Sequence, residues 1–314
     1  EHYSRFIEAG NYGVEHLLRY AGILHFDKQY DKILPIVQPV LDKNPDNLVA
    51  KRLKAYALSK TEGGGKSIEA IKHFIETTPE ERHIALDYIC YAEQLVANEQ
   101  FAQAIPYYGK IIQKDSTKQA LWLTMGDIFA NNLVRRDSAD RYYALYEATL
   151  SAPDLQLLYK RGQNLYSLGA QDTVPERRVM TLHRADTVFT RLIELVPTFV
   201  PAHLGRARIH VQLDPETQVG LAEPFYKKVI EVVTQEANNA DRYKRNLPEC
   251  YRYLGYFHYL KADEITKKNN NPEVIPENAL KEYRQAKEFF TKVLEYNPND
   301  SVALEALQGM STIQ

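Results

Sequence analysis

Several residue types that often carry chemistry are scarce in this sequence of 314 residues, which has two cysteines, three methionines and one tryptophan. Cys90 and Cys250 are 160 residues apart, and that spacing fits neither a metal-binding pattern nor a disulfide framework. An uninterrupted apolar run of about 18 residues, which a membrane-spanning helix needs, does not occur either. The sequence therefore predicts no disulfide-stapled fold and no transmembrane segment.

Net charge is also small, because 39 lysine and arginine residues are balanced by 41 aspartate and glutamate residues. A protein that binds nucleic acid normally presents a basic face, and a peripheral membrane protein often carries a polybasic segment. Neither pattern occurs in the sequence, so we expect no nucleic-acid partner and no electrostatic membrane anchor.

Catalytic and metal-binding signatures are missing as well. None of the nine histidines has the HExxH spacing of a zinc site, and no serine or cysteine lies in a recognisable nucleophile motif. His203 and His210 are seven residues apart on one predicted helix, at positions that packing residues usually occupy. In residues 63–67, Gly-Gly-Gly-Lys-Ser, Lys60 replaces the first glycine of a phosphate-binding loop, so we interpret them as a turn between helices. We therefore predict no enzyme activity, no cofactor and no metal.

The sequence does contain enough apolar residues for a core, at 44 %, and a large number of tyrosines, at 22. Two interpretations of the tyrosines compete. They can fill contacts between helices with the hydroxyl at the rim, or they can line a recognition surface, where this large, rigid and amphipathic residue is enriched.

A repeated pattern organises the chain. Residues 122–129 have the order large-x2-large-small-x2-aromatic, and the same order occurs 34 residues earlier in residues 88–95. A second pattern, small-x3-aromatic followed by two apolar residues and a proline, is clearest in residues 185–197 and 286–298. Small residues recur where two helices approach closely, and large ones recur where they fill the gap between them.

These two patterns resemble the two helices of the tetratricopeptide repeat (TPR), and the resemblance covers nearly the whole chain. Gly126, Gly162 and Gly255 fall at one equivalent site, which a HEAT-like array with its longer unit would not produce. We interpret them as packing glycines rather than helix breakers. The resemblance implies an all-α TPR helical-hairpin solenoid, a right-handed α-α superhelix of about seven repeats with partial helices at the ends.

The repeat period gives the predicted boundaries. Successive starts differ by 34, 37, 34, 36, 45, 48 and 53 residues, so the later repeats carry insertions. We predict a single solenoid over residues 1–314, with residues 1–13 as the tail of a preceding repeat and residues 301–314 as a terminal helix. The predicted repeats lie near residues 14–47, 48–84, 85–118, 119–154, 155–199, 200–247 and 248–300.

Two further stretches interrupt the period. Residues 171–184 contain Pro175 followed by Glu176, which is typical of a helix start, so we expect a lengthened second helix there. Residues 267–272 have the composition of a loop and are followed by a second helix start at Pro276. Lengthened hairpins at these places are either decoration or a partner-specific contact.

In TPR proteins the first helix of each hairpin lines a concave groove. The resemblance implies groove-facing side chains at the second, fifth, ninth, twelfth and thirteenth residues of each unit. Aromatic faces with interspersed arginine suit an extended peptide, because arginine binds carboxylates and tyrosine packs on apolar side chains. The predicted partner-binding residues are Arg52, Tyr56, Tyr159, Gln163, Tyr166, Arg208, Arg252, Tyr256 and Tyr259.

One TPR binding mode does not fit. The clamp that grips the acidic C terminus of heat-shock chaperones needs lysine and asparagine at set positions of three consecutive repeats. Those positions hold pairs such as Leu18 with Gly22, so we do not expect a chaperone adaptor of that kind.

The resulting hypothesis is a non-catalytic scaffold that holds a protein or peptide partner in the groove. The alternative is a structural component of an assembly that contacts its partners through its ends and inserted hairpins, and an enzyme or small-ligand receptor is a remote third. Residues 26–32 are similar to units of TPR proteins common in Bacteroidetes-type bacteria, many of which are exported. Because the sequence begins with Glu1 rather than methionine, we expect that an upstream segment was removed, and the compartment stays unassigned from the sequence. The resemblance slightly favours an exported location, periplasmic or outer-membrane associated, over a cytoplasmic one.

Overall fold

The computed structural model describes residues 13–62, 65–235, 237–269 and 274–313. Its regular structure is helical, and no strand occurs within these ranges, which confirms the predicted all-α class. The predicted repeat tail at residues 1–12, the turn glycines Gly63 and Gly64, and loop residues 270–272 lie outside the described residues. The chain divides into two compact units, unit 1 (Glu1–Thr149) and unit 2 (Leu150–Gln314). The prediction of a single domain stays a prediction.

Unit 1 consists of helical hairpins. In each hairpin two consecutive helices pack against each other, and the second helix packs on the first helix of the next hairpin. The helices are α1 (Val14–Phe26), α2 (Leu34–Lys43), α3 (Leu48–Thr61), α4 (Gly65–Thr77), α5 (Ala85–Ala97), α6 (Phe101–Lys114), α7 (Leu121–Asn131) and α8 (Arg136–Glu147).

Unit 2 continues the same plan with longer elements. Its helices are α9 (Leu155–Gln171), α10 (Pro175–Leu195), α11 (Val200–Leu213), α12 (Glu223–Gln235), α13 (Ala237–Tyr243), α14 (Leu247–Lys267), α15 (Glu277–Tyr296) and α16 (Ser301–Gly309). The hairpins are α9 with α10, α11 with α12, and α14 with α15, whereas α13 packs on α12 and α16 packs on α15.

Local sequence signals explain where the first helices begin. The predicted starts lie within two residues of the first residues of α1, α3, α5, α7, α9, α11, α14 and α16. Side chains of Asn47, Asp154 and Asp300 cap three of them by accepting hydrogen bonds from backbone N–H groups in the first turn. Prolines in the first turns of α10, α11 and α14 also favour a helix start at these places, because a proline there has no N–H that could be left unpaired.

The three equivalent glycines are packing residues, as predicted. A β-carbon added to Gly126 would lie 2.5 Å from the ring of Tyr143, and one added to Gly162 would lie 2.6 Å from the ring of Phe189. Gly255 approaches the ring of Phe290 in the same way, at 3.1 Å. Each ring comes from the second helix of the same hairpin, so the small residue lets the two helices approach closely.

The interruptions in the repeat have a clear structural outcome. The predicted second helix after residue 171 is α10, which begins at Pro175 and has 21 residues, and α15 follows Pro276 as predicted. The length of the repeat at residues 200–247 predicted an insertion but not its position, and the structure places two there, a loop at residues 214–222 and a helical segment at residues 237–246. Among the described residues, no helix is long and apolar enough to cross a membrane.

Candidate functional site

The two predicted groove residues of unit 1, Arg52 and Tyr56, converge on a single carboxylate. Arg52 donates from Nε to Oδ1 of Asp87 at 2.8 Å and from Nη2 to Oδ2 at 3.1 Å. The hydroxyl of Tyr56 donates to the same Oδ1, and the backbone N–H of Ile84 donates to Oδ2 at 2.8 Å. Asp87 is fully buried and its oxygens are saturated by these donors.

This arrangement corrects the expectation for Tyr56. Its side chain is 1 % exposed and belongs to the apolar core, so it offers no surface to a partner. Burial raises the pKa of Tyr56 far above its usual value, and the charge of Asp87 adds to the effect. Arg52 is committed as well, because its guanidinium also donates to the carbonyl of Arg82 at 2.8 Å and lies over the ring of Phe74.

In unit 2 a second group of predicted residues faces open space. A cavity of about 390 Å³, which we call the arginine cavity, is lined by two of them, Tyr159 and Arg208. The remaining lining residues come from α11 and its preceding turn and from the inserted segment at residues 237–246. They are Phe199, Pro201, Leu204, Arg242, Tyr243, Arg245 and Asn246.

Aromatic rings form one wall of the arginine cavity. The ring of Tyr159 meets that of Phe199 edge to face, with centroids 5.4 Å apart. Gln163, one helical turn after Tyr159, donates from Nε2 to the Tyr159 hydroxyl at 2.8 Å and so holds the tyrosine side chain in place. Burial raises the pKa of Tyr159, while the charge of Arg208 opposes the shift. Tyr166 is half-buried on the same helix, where it packs against the apolar cluster of unit 2.

Arg208 is held by a carboxylate from the next hairpin. Its Nε and Nη2 donate to the two oxygens of Glu249 at 2.8 and 2.6 Å, and the hydroxyl of Tyr226 donates to Oε1 at 3.0 Å. Burial opposes ionisation of Glu249, but the hydrogen bonds and charge of Arg208 outweigh it and hold the pKa of this carboxyl below its usual value. The side chain of Arg208 is nevertheless 43 % exposed, so the pair is open to solvent.

The inserted segment adds cations without adding carboxylates to the cavity lining. Arg242 and Arg245 are exposed, and neither forms a hydrogen bond or ion pair with any described residue. The guanidinium of Arg242 lies 5.3 Å from the ring centroid of Tyr243, which leaves its N–H edge available. Three arginines therefore line the cavity, and among the described residues one carboxylate, Glu249, pairs with one of them, Arg208.

The remaining predicted residues of unit 2 lie on α14 and do not line the arginine cavity. Arg252 pairs with Asp300 at the start of α16, and Tyr259 meets the ring of Tyr283 edge to face at 5.8 Å. Tyr256 is 46 % exposed and lines a separate cavity of about 820 Å³, which we call the loop cavity, together with residues 216–219. The seven predicted residues of unit 2 thus fall into two groups, one on α9 and α11 near the arginine cavity and one on α14.

No protein-family model matches the sequence, and no curated protein matches it. Among solved structures, the C-terminal part of a TPR repeat-containing protein from Cytophaga hutchinsonii is 21 % identical, with a TM-score of 0.55, and the match covers 92 % of this chain and 99 % of that chain. The chain has the TPR fold.

Two other TPR proteins are more distant neighbours. YrrB, a TPR protein with an unusual peptide-binding site, is 17 % identical, with a TM-score of 0.44 and coverage of 77 % of this chain and 99 % of that one. A thermophilic TPR protein of Thermus thermophilus is 17 % identical, with a TM-score of 0.37 and coverage of 72 % and 99 %. The likeness to the Cytophaga hutchinsonii protein, at 21 % identity, shows the fold alone.

Within this TPR fold, all three predicted groove arginines make the same kind of contact. Each pairs with a carboxylate at the start of the next first helix or just before it, at sequence separations of 35, 41 and 48 residues. The pairs therefore link successive repeats, and their separation, close to the repeat period, could have indicated them. The pairs are Arg52 with Asp87, Arg208 with Glu249, and Arg252 with Asp300.

The sequence analysis missed the part of the arginine cavity that TPR repeats do not contain. Phe199, Arg242, Tyr243 and Arg245 occupy no groove position of the motif, so the resemblance could not point to them. The available signal was the run Arg-Tyr-Lys-Arg at residues 242–245, inside the repeat whose length of 48 residues had already marked an insertion.

The two histidines considered as ligands are packing residues, as predicted. His203 is buried, with Nε2 at 2.7 Å from the carbonyl of Pro197, and burial lowers its pKa. His210 stacks on Phe225 with ring centroids 3.8 Å apart. Neither lines the arginine cavity or the loop cavity, and the described residues contain no cluster of ligands that could hold a metal ion.

Proposed function

We propose that this TPR chain is a non-catalytic scaffold that binds an extended segment of a protein partner, with the arginine cavity of unit 2 as the docking point. The observation that carries the proposal is that Tyr159 and Arg208, both expected at groove positions, line one cavity. At about 390 Å³ the cavity lies within the range of about 300–1,000 Å³ that is usual for ligand pockets.

The chemistry of the lining supports binding rather than turnover. Tyrosine and phenylalanine supply large contact areas with few rotatable bonds, and arginine supplies hydrogen-bond donors in a fixed fork. Among the described lining residues there is no serine, cysteine, histidine or carboxylate that could serve as a nucleophile or general base. The lining therefore recognises shape and charge.

A test is selection from a random peptide library on the immobilised full chain, followed by affinity measurement of the selected peptides. We expect peptides that bind in the micromolar range and lose about tenfold or more in affinity for Tyr159→Ala, since a buried aromatic anchor often contributes about 2 kcal/mol. Tyr256→Ala is the matched control, because it removes an equally large side chain from the same unit at a different cavity.

The outcomes separate three possibilities. Loss of binding in Tyr159→Ala with unchanged helicity and melting supports the arginine cavity, and loss only in Tyr256→Ala moves the site to the loop cavity. Failure to select any peptide above background contradicts peptide binding as the function.

A second candidate function, an assembly component that uses its insertions, is favoured by the loop at residues 214–222. The carboxylate of Asp214 accepts hydrogen bonds from four successive backbone N–H groups, those of residues 218–221, and so holds the loop in one conformation. Val219 projects from it with 70 % exposure, beside the exposed Tyr256. A fixed loop with an exposed apolar tip suits a permanent contact with another protein. The Tyr256→Ala variant tests whether a partner binds at this surface.

A further inference from the structure

The arginine cavity differs from the rest of the chain in its charge. The whole sequence has a net charge of −2, whereas the cavity is lined by Arg208, Arg242 and Arg245. Among the described residues, one carboxylate pairs with these arginines, that of Glu249 with Arg208. The local excess is two positive charges. An excess of this kind inside a concave surface attracts anions and raises their local concentration.

The excess comes from the insertion. Arg242 and Arg245 belong to the segment at residues 237–246, which lies between α12 and α14 and has no counterpart in the shorter connections of unit 1, such as that between Lys43 and Leu48. Neither arginine pairs with a described residue, so no ion pair within the described part of the chain accounts for their charge. Both side chains are exposed and line the arginine cavity.

The geometry around the insertion also favours a planar anion. The guanidinium of Arg242 lies over the ring of Tyr243, an arrangement that orients the planar fork and leaves its edge free for two parallel hydrogen bonds. Asn246, which lines the cavity, immediately precedes the 21-residue helix α14, whose first backbone N–H groups carry a partial positive charge. The neighbouring rings of Tyr159 and Phe199 offer an apolar surface next to the cations.

We infer that the arginine cavity takes a carboxylate of an acidic peptide segment, with an adjacent apolar side chain packed on Tyr159 and Phe199. The inference rests on the proposed peptide-binding function and specifies its ligand. The carboxylate is that of an aspartate or glutamate side chain or of a peptide C terminus, since the three groups present the same two oxygens to an arginine fork. Arg242 and Arg245, rather than the Glu249-bound Arg208, make the charge-specific contacts.

The experiment compares the composition of selected peptides and their affinity for two double variants. Arg242→Gln with Arg245→Gln removes the unpaired cations of the cavity. Lys281→Gln with Arg284→Gln is the control, because it removes two exposed cations from α15, in the same unit, where Arg284 makes only an exposed contact with Glu277. All four positions are exposed, so the fold is expected to persist, which circular dichroism checks.

We expect aspartate and glutamate to be enriched among peptides selected on the full chain. Their affinity should fall about tenfold or more in the cavity double variant and change less than about twofold in the control, because hydrogen bonds to charged groups are stronger than neutral ones. Raising the ionic strength should weaken binding to the wild type more than binding to the cavity variant. Synthetic versions of a selected peptide with a free or an amidated C terminus distinguish a terminal carboxylate from a side-chain one.

The possible failures differ for the two proposals. If peptides are selected but are neutral or basic, or if they bind the cavity double variant as tightly as the wild type, the carboxylate inference is wrong and peptide binding stands. If no peptide is selected above background, the proposed function fails and the inference fails with it.

Discussion

Two triads of arginine, carboxylate and tyrosine connect successive repeats, one in each unit, and they differ in what surrounds them. In unit 1, Arg52 and Tyr56 share the carboxylate of Asp87, which is fully buried. In unit 2, Arg208 and Tyr226 share the carboxylate of Glu249, but the side chain of Glu249 is 32 % exposed and that of Arg208 is 43 % exposed.

From this difference we expect the same kind of contact to serve stability in unit 1 and recognition in unit 2. The unit 1 triad is shielded from solvent, because both carboxylate oxygens of Asp87 accept hydrogen bonds from internal donors and the side chain of Arg52 is only 13 % exposed. The unit 2 triad opens onto a cavity where Arg242 and Arg245 add positive charge. The same substitution, acid to amide, should therefore destabilise unit 1 and alter binding at unit 2.

The largest effect is expected for Asp87→Asn. This variant keeps the shape of the side chain but leaves the guanidinium of Arg52 and the hydroxyl of Tyr56 facing a neutral amide in a buried site. We expect the free energy of unfolding to fall by about 3 kcal/mol or more, which is the usual cost of removing one partner of a buried ion pair. Urea denaturation gives the total, and native-state hydrogen exchange of α3 and α5 locates the loss in unit 1.

A compensating variant checks the cause. Replacing all three side chains by apolar ones, Arg52→Met with Tyr56→Phe and Asp87→Leu, should recover part of the stability, because neither a buried charge nor the tyrosine hydroxyl is then left unpaired. If Asp87→Asn alone lowers the free energy of unfolding by less than about 1 kcal/mol, the triad contributes no more than an exposed ion pair, and the prediction is wrong.

The corresponding change in unit 2, Glu249→Gln, should have a smaller and different effect. Since the pair is partly exposed, the loss of stability should stay near 1 kcal/mol or below. Binding of an acidic peptide should instead become stronger, because the one carboxylate paired with the cavity arginines is removed. A unit charge about 7 Å away in water contributes roughly 0.6 kcal/mol, so we expect an increase in affinity of about threefold, measured by fluorescence anisotropy.

The opposite result would change the interpretation of the arginine cavity. Weaker binding by Glu249→Gln would mean that Glu249 is needed to position Arg208, whose contacts would then dominate recognition. Glu277→Gln is the matched control, because it neutralises an exposed acid elsewhere in unit 2 and should leave the affinity unchanged.

The comparison also shows what the sequence could predict. Helix starts followed from caps, prolines and the repeat period, which depend on residues close in sequence. The packing role of Gly126 and Gly162 followed from their equivalent positions. Groove exposure was harder, because motif position places a side chain on the correct face of a helix but does not reveal whether a neighbour covers it. Tyr56 and Tyr256 occupy the same position of their repeats, yet one is 1 % and the other 46 % exposed.

The site itself depended on features outside the motif. Asp87 accepts the hydrogen bond of the buried Tyr56 from the next repeat, a contact between residues 31 positions apart that composition does not encode. Arg242 and Arg245 reach the arginine cavity through an insertion, where the period that fixed the rest of the chain no longer applies. The family resemblance was therefore informative about the scaffold and incomplete about the surface.

The smallest expected effect concerns pH, which should change the stability of unit 1 but not peptide binding at unit 2. Burial lowers the pKa of His83 in unit 1 below 6.5, and the opposing charges of Asp87 and Glu80 do not outweigh it. The unfolded state then binds more protons, so the stabilising contribution of His83 is present above pH 6.5 and is lost as the pH falls through the folded pKa. Urea denaturation of His83→Gln should show a shallower loss of stability in acid than the wild type, and an equal loss would contradict the prediction. Peptide binding at the arginine cavity should stay constant from about pH 7 to about pH 5.5, because the carboxylate of the bound peptide stays ionised until the pH approaches about 4.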